Sequence, residues 1–327
     1  MGDVLSRRPR FAVLFLVLTG LAACLFACGA ILGIDDKPLR PEAETGALAD
    51  ATDVKDSGAE ARCNPRESTG CTADCLHDFC DDFDGDGQAP ETRWTAPVGF
   101  KNPILQGDSG IALTTSGNSP PAALVVTTTS SGSTTFGILV NQLAFVDRHA
   151  GQAFDGVRVA IDLRIDALTF TGVGGPVKDA GSATMLGVLR PDSFPPKGIA
   201  VVLTGNSVHL DVAEDVLGGA GAEAIAEING GLNIANSLNN WVRVELFVGD
   251  QGRAVREGYE TCKAIAPGLV AVASLGKIVG EACVAVPAAF GPAAWAEHPA
   301  LLVGGLLFAP GNAAFRIDNA VADFYVK

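Results

Sequence analysis

The chain has 327 residues, of which 48% are hydrophobic, so it is long enough to bury a substantial core. It carries 23 basic and 37 acidic residues, and the resulting formal charge of -14 disfavours nucleic acid as a partner because the long-range field repels it. Only 6% of residues are aromatic, whereas Gly is abundant with 39 residues. This composition favours strands and turns over a helical bundle.

The first segment has the layout of an export signal. A basic start with Arg7, Arg8 and Arg10 precedes an apolar run that begins at Phe11. We predict a signal peptide at residues 1–23. The alternative is a membrane-spanning helix, because the apolar stretch continues to residue 34.

The sequence LAAC at residues 21–24 resembles the bacterial lipobox, in which the cysteine receives a diacylglyceryl group. We therefore predict acylation at Cys24 and insertion of the acyl chains into a lipid bilayer. Cys28 is the alternative, because cleavage there leaves an even number of cysteines. No Asp follows either cysteine, which by resemblance to known sorting rules predicts the outer membrane of a Gram-negative bacterium. Residues 24–62 are then a lipid-anchored acidic linker.

Six cysteines follow, four of them within a disulfide-rich segment at residues 63–80. They are Cys63, Cys71, Cys75, Cys80, Cys262 and Cys283. In an exported protein an even set predicts disulfides, and the first four allow three connectivities. The last two are expected to close one loop. The alternative for the first group is a zinc site formed by Cys71, Cys75 and Cys80 with His77.

After residue 80 the apolar residues recur with the period of two that is typical of strands. The clearest run spans residues 157–166, and residues 199–203 and 208–212 flank a turn that predicts a hairpin. Further strands are predicted at 123–127, 136–140, 185–189, 242–248 and 301–308, and a short helix at 221–228. Many short strands separated by turns predict an all-β fold, either a sandwich or a barrel.

Three short motifs resemble the concanavalin A-like lectins and glucanases, a superfamily that includes laminin-G-like domains. FCDDFDG at 79–85, together with RWT at 93–95, resembles the opening strand of these domains. NWVRVEL at 240–246 resembles a central strand, and FRIDNAV at 315–321 resembles the last strand. The resemblance implies an antiparallel jelly-roll β-sandwich over residues 81–327, with Trp94 and Trp241 in its core. Anchor, acidic linker and jelly roll together resemble the lipoproteins of myxobacteria.

The resemblance does not imply catalytic activity. Glucanases of this superfamily place their two carboxylates on a Glu-x-Asp-x-x-Glu strand, and the chain contains no Glu-x-Asp. GDSG at residues 107–110 matches the nucleophile motif of chymotrypsin-like proteases, but no histidine stands in the matching context, so a turn is expected there. We assign no catalytic residue and expect the chain not to be an enzyme.

Two ligand sites are predicted. DFDGDG at residues 82–87 alternates carboxylates as calcium loops do, and Asp82 and Asp84 with Asp318 are the expected ligands of a structural calcium ion. Against this, Arg93 occupies the position of the usual bidentate Glu, and an acidic turn is the alternative. No other cofactor is expected. Trp295 is the candidate for stacking on a sugar ring.

These observations predict an envelope protein that acts as a binding or adhesion module, with a glycan as the first ligand to test. The alternative is a structural protein that contacts other envelope proteins and has no small ligand. An enzyme of unfamiliar design is the third hypothesis.

Overall fold

The computed structural model consists of two antiparallel sheets that enclose an apolar core. It describes residues 71, 77–84, 89–97, 100–118, 122–132, 134–143, 153–170, 182–190, 197–204, 207–213, 216, 223–228, 239–276, 280–291 and 299–327. All of them belong to the second of two units of the chain, Ala59–Lys327, the first being Met1–Gly58. Within the described residues, no helix combines the length and the apolar character needed to cross a membrane.

Strands make up most of the described chain. They are β1 (Phe79–Asp81), β2 (Ile104–Gln106), β3 (Asp108–Thr114), β4 (Ala123–Ser130), β5 (Thr135–Gln142), β6 (Phe154–Phe170), β7 (Ser182–Arg190), β8 (Lys197–Thr204), β9 (Val208–Ala213), β10 (Glu223–Glu227), β11 (Trp241–Asp250), β12 (Leu269–Leu275), β13 (Glu281–Ala285), β14 (Ala300–Leu307) and β15 (Gly311–Val326). The described helices are α1 (Pro90–Arg93) and α2 (Gln251–Arg256), with 3₁₀ turns at Glu260–Ala264 and Ala288–Phe290.

The strand order is that of a jelly roll. The sheet that we call the front sheet runs β13-β12-β11-β6-β15-β4-β3, and β1 also pairs with β15. The back sheet runs β10-β9-β8-β7-β14-β5-β2. Neighbours such as β6 and β15 are far apart in sequence, as the crossovers of this fold require. The expectation of an all-β antiparallel jelly-roll sandwich is confirmed.

The core forms because alternate residues of each strand point between the sheets. On β6 these are Val157, Val159 and Ile161, and on β11 they include Val244 and Leu246, all fully buried. Their neighbours along each strand point to the opposite face of the front sheet, which we call its outer face. The strands predicted from this alternation are all present.

Two local expectations differ from the structure. Residues 223–227 form β10 rather than a helix, because the backbone pairs with β9 and Ile228 is buried in the core; this pairing outweighs the helix propensity of Ala and Glu. At the GDSG motif only Gly107 makes the turn, with φ of 71°, and Asp108 already begins β3. Ser109 is therefore a strand residue, and its hydroxyl donates to the Gln106 carbonyl at 3.2 Å.

Two disulfides are present among the described cysteines. Cys71 bonds to Cys80, and Cys262 bonds to Cys283, which confirms the loop expected for the late pair. The zinc alternative is wrong, because Cys71 and Cys80 are bonded to each other and His77 contacts Asp323 instead. Cys24, Cys28, Cys63 and Cys75 lie outside the described residues.

The Cys262–Cys283 bond ties the 3₁₀ turn that follows α2 to β13. We expect replacement of both cysteines by Ala to lower the free energy of unfolding by about 3 kcal/mol, because the bond joins residues 21 apart and restricts the unfolded chain. Urea denaturation of the wild type and the double variant measures the difference. Equal midpoints for the two proteins would contradict the prediction.

Candidate functional site

The outer face of the front sheet carries a band of polar side chains across its three central strands, β11, β6 and β15. On β6 the band consists of Arg158, Asp162, Arg164 and Asp166. These residues alternate with the core valines and isoleucines, so the amphipathic pattern of β6 itself places them on this face. The band is buried at the Arg158 end and accessible to solvent at the Arg164 end.

The buried end is organised around Arg158, whose side chain is 0% exposed. Its Nη2 and Nε donate to the two carboxylate oxygens of Glu245 at 3.1 and 3.3 Å, and its Nη1 donates to Asp323 Oδ2 at 2.9 Å. Burial opposes the charge of Arg158, but Glu245, Tyr259 and Asp323 outweigh burial and raise the pKa of Arg158. The guanidinium therefore stays charged and joins all three central strands.

Two further residues complete this group, which we call the Arg158 cluster. His77 places Nδ1 2.8 Å from Asp323 Oδ1, and its side chain is 0% exposed. Tyr259 donates its hydroxyl to Glu245 Oε2 at 3.3 Å. The cluster thus connects the sheet to the segment before β1 and to the segment after α2, which is a structural role.

The middle of the band is held by Asp162 and Asp318. Asp162 Oδ1 accepts from Arg243 Nη1 at 3.1 Å, and its Oδ2 accepts from the side-chain amides of Asn118 and Asn319 at 3.0 and 2.8 Å. Asp318 accepts the backbone N–H groups of Asn118 and Asn319 at 2.7 and 2.8 Å. These bonds hold Asn319 at φ of 47°, a left-handed conformation that Asn tolerates better than most residues. Each of the four carboxylate oxygens of Asp162 and Asp318 therefore accepts at least one hydrogen bond from this chain.

The carboxylates expected to bind calcium each accept backbone N–H groups instead of converging on one point. Asp82 Oδ1 accepts from the N–H of Asp84 at 3.1 Å, and Asp84 Oδ1 accepts from that of Ala122 at 2.6 Å. Asp318 is engaged as described above. In the described part of the chain, no three His, Cys, Asp or Glu side chains lie together as metal ligands. The calcium ion stays a prediction.

At the accessible end lie three residues that we call the outer row: Trp241 on β11, Arg164 on β6 and Arg316 on β15. They stand directly opposite one another in the strand register. Asp166 lies between the two arginines, with Oδ2 2.6 Å from Arg316 Nε and Oδ1 2.8 Å from Arg164 Nε. The latter contact is an ion pair without a hydrogen bond. Arg316 also contacts Ser116 through Nη1.

Trp241 is the residue that sequence reasoning misplaced. Trp94 is indeed in the core, 3% exposed, where its indole N–H donates to Asp81 Oδ2 at 2.6 Å. Trp241 is only partly buried, and the alternation with Val242 and Val244 places it on the outer face instead. Its spacing of two residues from Arg243 was the available signal. Trp295, the predicted stacking residue, lies outside the described residues.

The back sheet holds one pair with the composition of a nucleophile and its base. Ser207 Oγ lies 2.6 Å from His209 Nε2 and 2.9 Å from Thr204 Oγ1. Ser207 is 5% exposed, and its carbonyl accepts the N–H of Thr204 at 2.8 Å. The pair therefore closes the hairpin between β8 and β9.

Comparison with known proteins gives likenesses of fold only. No protein-family profile matches the chain. No curated protein sequence matches it either. Among solved structures it is similar to a cellulose induced protein, Cip1, with 14% identity, a TM-score of 0.41, and coverage of 75% of this chain and 96% of that one. It is also similar to a family 7 alginate lyase, A1-II', with 11% identity, a TM-score of 0.35, and coverage of 69% and 86%. A third is alginate lyase vAL-1 from Chlorella virus, with 9% identity, a TM-score of 0.37, and coverage of 68% and 93%.

These similarities correct one expectation from the sequence. We expected the chain not to be an enzyme, and the comparisons contradict that expectation only in that the solved structures similar to the chain include alginate lyases, which are enzymes. At these identities the comparisons assign no catalytic residue and no substrate to this chain.

The Arg158 cluster yields a stability prediction. We expect Arg158→Met to lower the free energy of unfolding by about 3 to 5 kcal/mol, because Glu245 and Asp323 would remain buried without their cation. The matched control is Arg256→Met, whose side chain is 64% exposed and pairs with Asp155 at 3.3 Å. It should cost less than about 1 kcal/mol. Urea denaturation measures both, and equal losses would contradict the prediction.

Proposed function

We propose that the outer row of the front sheet is a glycan-binding surface, with Trp241 as the side chain on which a sugar ring stacks. The observation that carries the proposal is the position of Trp241: a partly buried indole on the outer face, directly opposite Arg164 in the strand register.

The chemistry of the row matches that of a sugar. A pyranose ring presents C–H groups on its faces and hydroxyl groups around its edge, so it needs an apolar plane beside polar side chains. Trp supplies the plane at a low cost in conformational entropy. Arg164, Arg316 and Asn239 supply the polar groups, and Asn239 Oδ1 accepts a long contact from Arg164 Nη2 at 3.4 Å.

Access and rigidity both favour this end of the band. The side chains of Arg164 and Arg316 are 25% and 22% exposed, whereas that of Arg158 is 0% exposed. A ligand can therefore reach the outer row, while the hydrogen-bonded carboxylates behind it hold the strands in place. Sites built on strands and supported in this way keep their geometry better than sites on loops.

Binding of the purified full-length chain to dextran, laminarin, polygalacturonate, methyl-esterified polygalacturonate and dextran sulfate tests the proposal. We expect Trp241→Ala to weaken binding to the preferred glycan by about two- to tenfold, because stacking contacts of aromatic side chains are worth about 0.5 to 1.5 kcal/mol. The thermal midpoint should change little, since Trp241 is outside the core.

The matched control is Leu105→Ala, which removes a 49% exposed apolar side chain from β2 of the back sheet. It should leave glycan binding unchanged. The proposal fails if no glycan in the panel binds, or if Trp241→Ala binds as tightly as the wild type.

We further propose that the domain is held at the outer membrane of a Gram-negative bacterium by acylation of Cys24, with the LAAC sequence at residues 21–24 in support. Cys24→Ala should abolish incorporation of labelled palmitate and move the protein to the soluble fraction. Cys28→Ala, the matched control, should remain acylated. Palmitate incorporation by Cys24→Ala but not by Cys28→Ala would assign the anchor to Cys28.

A further inference from the structure

We infer that the glycan bound at the outer row is anionic, and that Arg164 and Arg316 together bind its carboxylate or sulfate groups. This inference rests on the proposed glycan-binding function and adds the class of ligand. Three observations about charge and hydrogen-bonding capacity carry it.

The first observation is a like-charge pair. Arg164 and Arg316 stand directly opposite each other on the antiparallel strands β6 and β15. Like charges in this arrangement destabilise a sheet. One carboxylate, Asp166, serves both guanidinium groups. The three side chains therefore keep a net charge of one positive unit, which a second anion would neutralise.

The second observation is a surplus of donors. Each guanidinium has five N–H groups. In the described part of the chain, Arg164 Nη1 and Arg316 Nη2 have no hydrogen-bond partner. A ligand at the row therefore meets several N–H groups that are still available.

The third observation is that the carboxylates next to the row, Asp162 and Asp318, already accept hydrogen bonds within the chain, while Oδ1 of Asp166, which accepts none from the described residues, is buried. Asp162 accepts three hydrogen bonds from side chains, and Asp318 accepts two from backbone N–H groups. Behind the row, Arg243 Nη2 is buried and has no partner among the described residues. Neutral sugar hydroxyls need acceptors as well as donors, whereas a carboxylate or sulfate only accepts. The balance of this site favours the anion.

The net charge of -14 does not oppose this inference at short range. At physiological ionic strength charges are screened over about 8 Å, so acidic residues beyond the band contribute little at the row. The nearer carboxylates are engaged within the chain, Asp162 by Arg243 and Asp318 by backbone N–H groups. Arginine is also well suited to the task, because its planar fork matches the two oxygens of a carboxylate or sulfate.

Polygalacturonate and its methyl ester provide the test, because they differ only in whether the carboxylates carry charge. We expect the wild type to bind polygalacturonate about tenfold or more tightly than the ester. Arg164→Gln and Arg316→Gln should each remove most of this preference and change binding to the ester by less than about twofold. The affinities for dextran sulfate and for dextran, measured in the same way, test whether the row binds sulfate groups.

Arg256→Gln is the matched control, since it removes the same charge from a side chain of α2 that is 64% exposed. It should keep the preference for the charged polymer. The thermal midpoint of the unliganded Arg164→Gln and Arg316→Gln variants should change little, because each variant loses one ion pair to Asp166 but also loses a like-charge contact. A purely structural role predicts a lower midpoint with the preference intact.

The outcomes separate the inference from the proposed function. Equal binding of polygalacturonate and its ester, lost in Trp241→Ala, would overturn the anionic ligand and leave the glycan-binding surface. No binding to any polymer would overturn both. Binding to vesicles of anionic phospholipid, lost in Arg164→Gln, without binding to any glycan, would also overturn both and identify a lipid surface as the partner.

Discussion

The structure depends on the burial of one guanidinium. Arg158 is 0% exposed and is held by Glu245 on β11 and Asp323 on β15, so its hydrogen bonds connect the three central strands of the front sheet. Because His77 and Tyr259 join the same carboxylates, the group also secures the segments before β1 and after α2. Loss of a partner would leave a buried charge uncompensated, which is strongly destabilising. A shift in strand register would separate these partners, so the cluster favours a single register.

This rigid interior explains how an exposed site can exist on the same face. From Arg158 to Arg164 the band changes from a fully buried ionic cluster to side chains that are about one quarter exposed. The buried end fixes the strands, the carboxylates of Asp162 and Asp318 hold the middle, and the outer row keeps donors that have no partner among the described residues. The stabilising cluster and the proposed binding surface thus lie on different stretches of one face.

Much of the fold could be predicted because alternation is a local property. The pattern of residues 157–166 is sufficient to identify β6, and β11 was recognised in the same way, whereas β14 was predicted from a continuous apolar run. Prediction failed where pairing overrides propensity, as in β10, whose Ala and Glu residues favour a helix until β9 supplies the hydrogen bonds. It also failed for Trp241, because the resemblance to a central strand was given more weight than the alternation of that strand.

The sequence by itself determined the amphipathic strands and the all-β class, since both depend on residue type and on spacing within short stretches. It also determined the pairing of Cys262 with Cys283, since this pairing follows from an even number of cysteines. Only the tertiary structure decided which polar side chains meet. Arg158 contacts Glu245 across 87 residues and Asp323 across 165, and Arg164 stands opposite Arg316 through the register of β6 and β15. Such contacts follow from how distant strands pair, and strand pairing depends on the packing of the whole core.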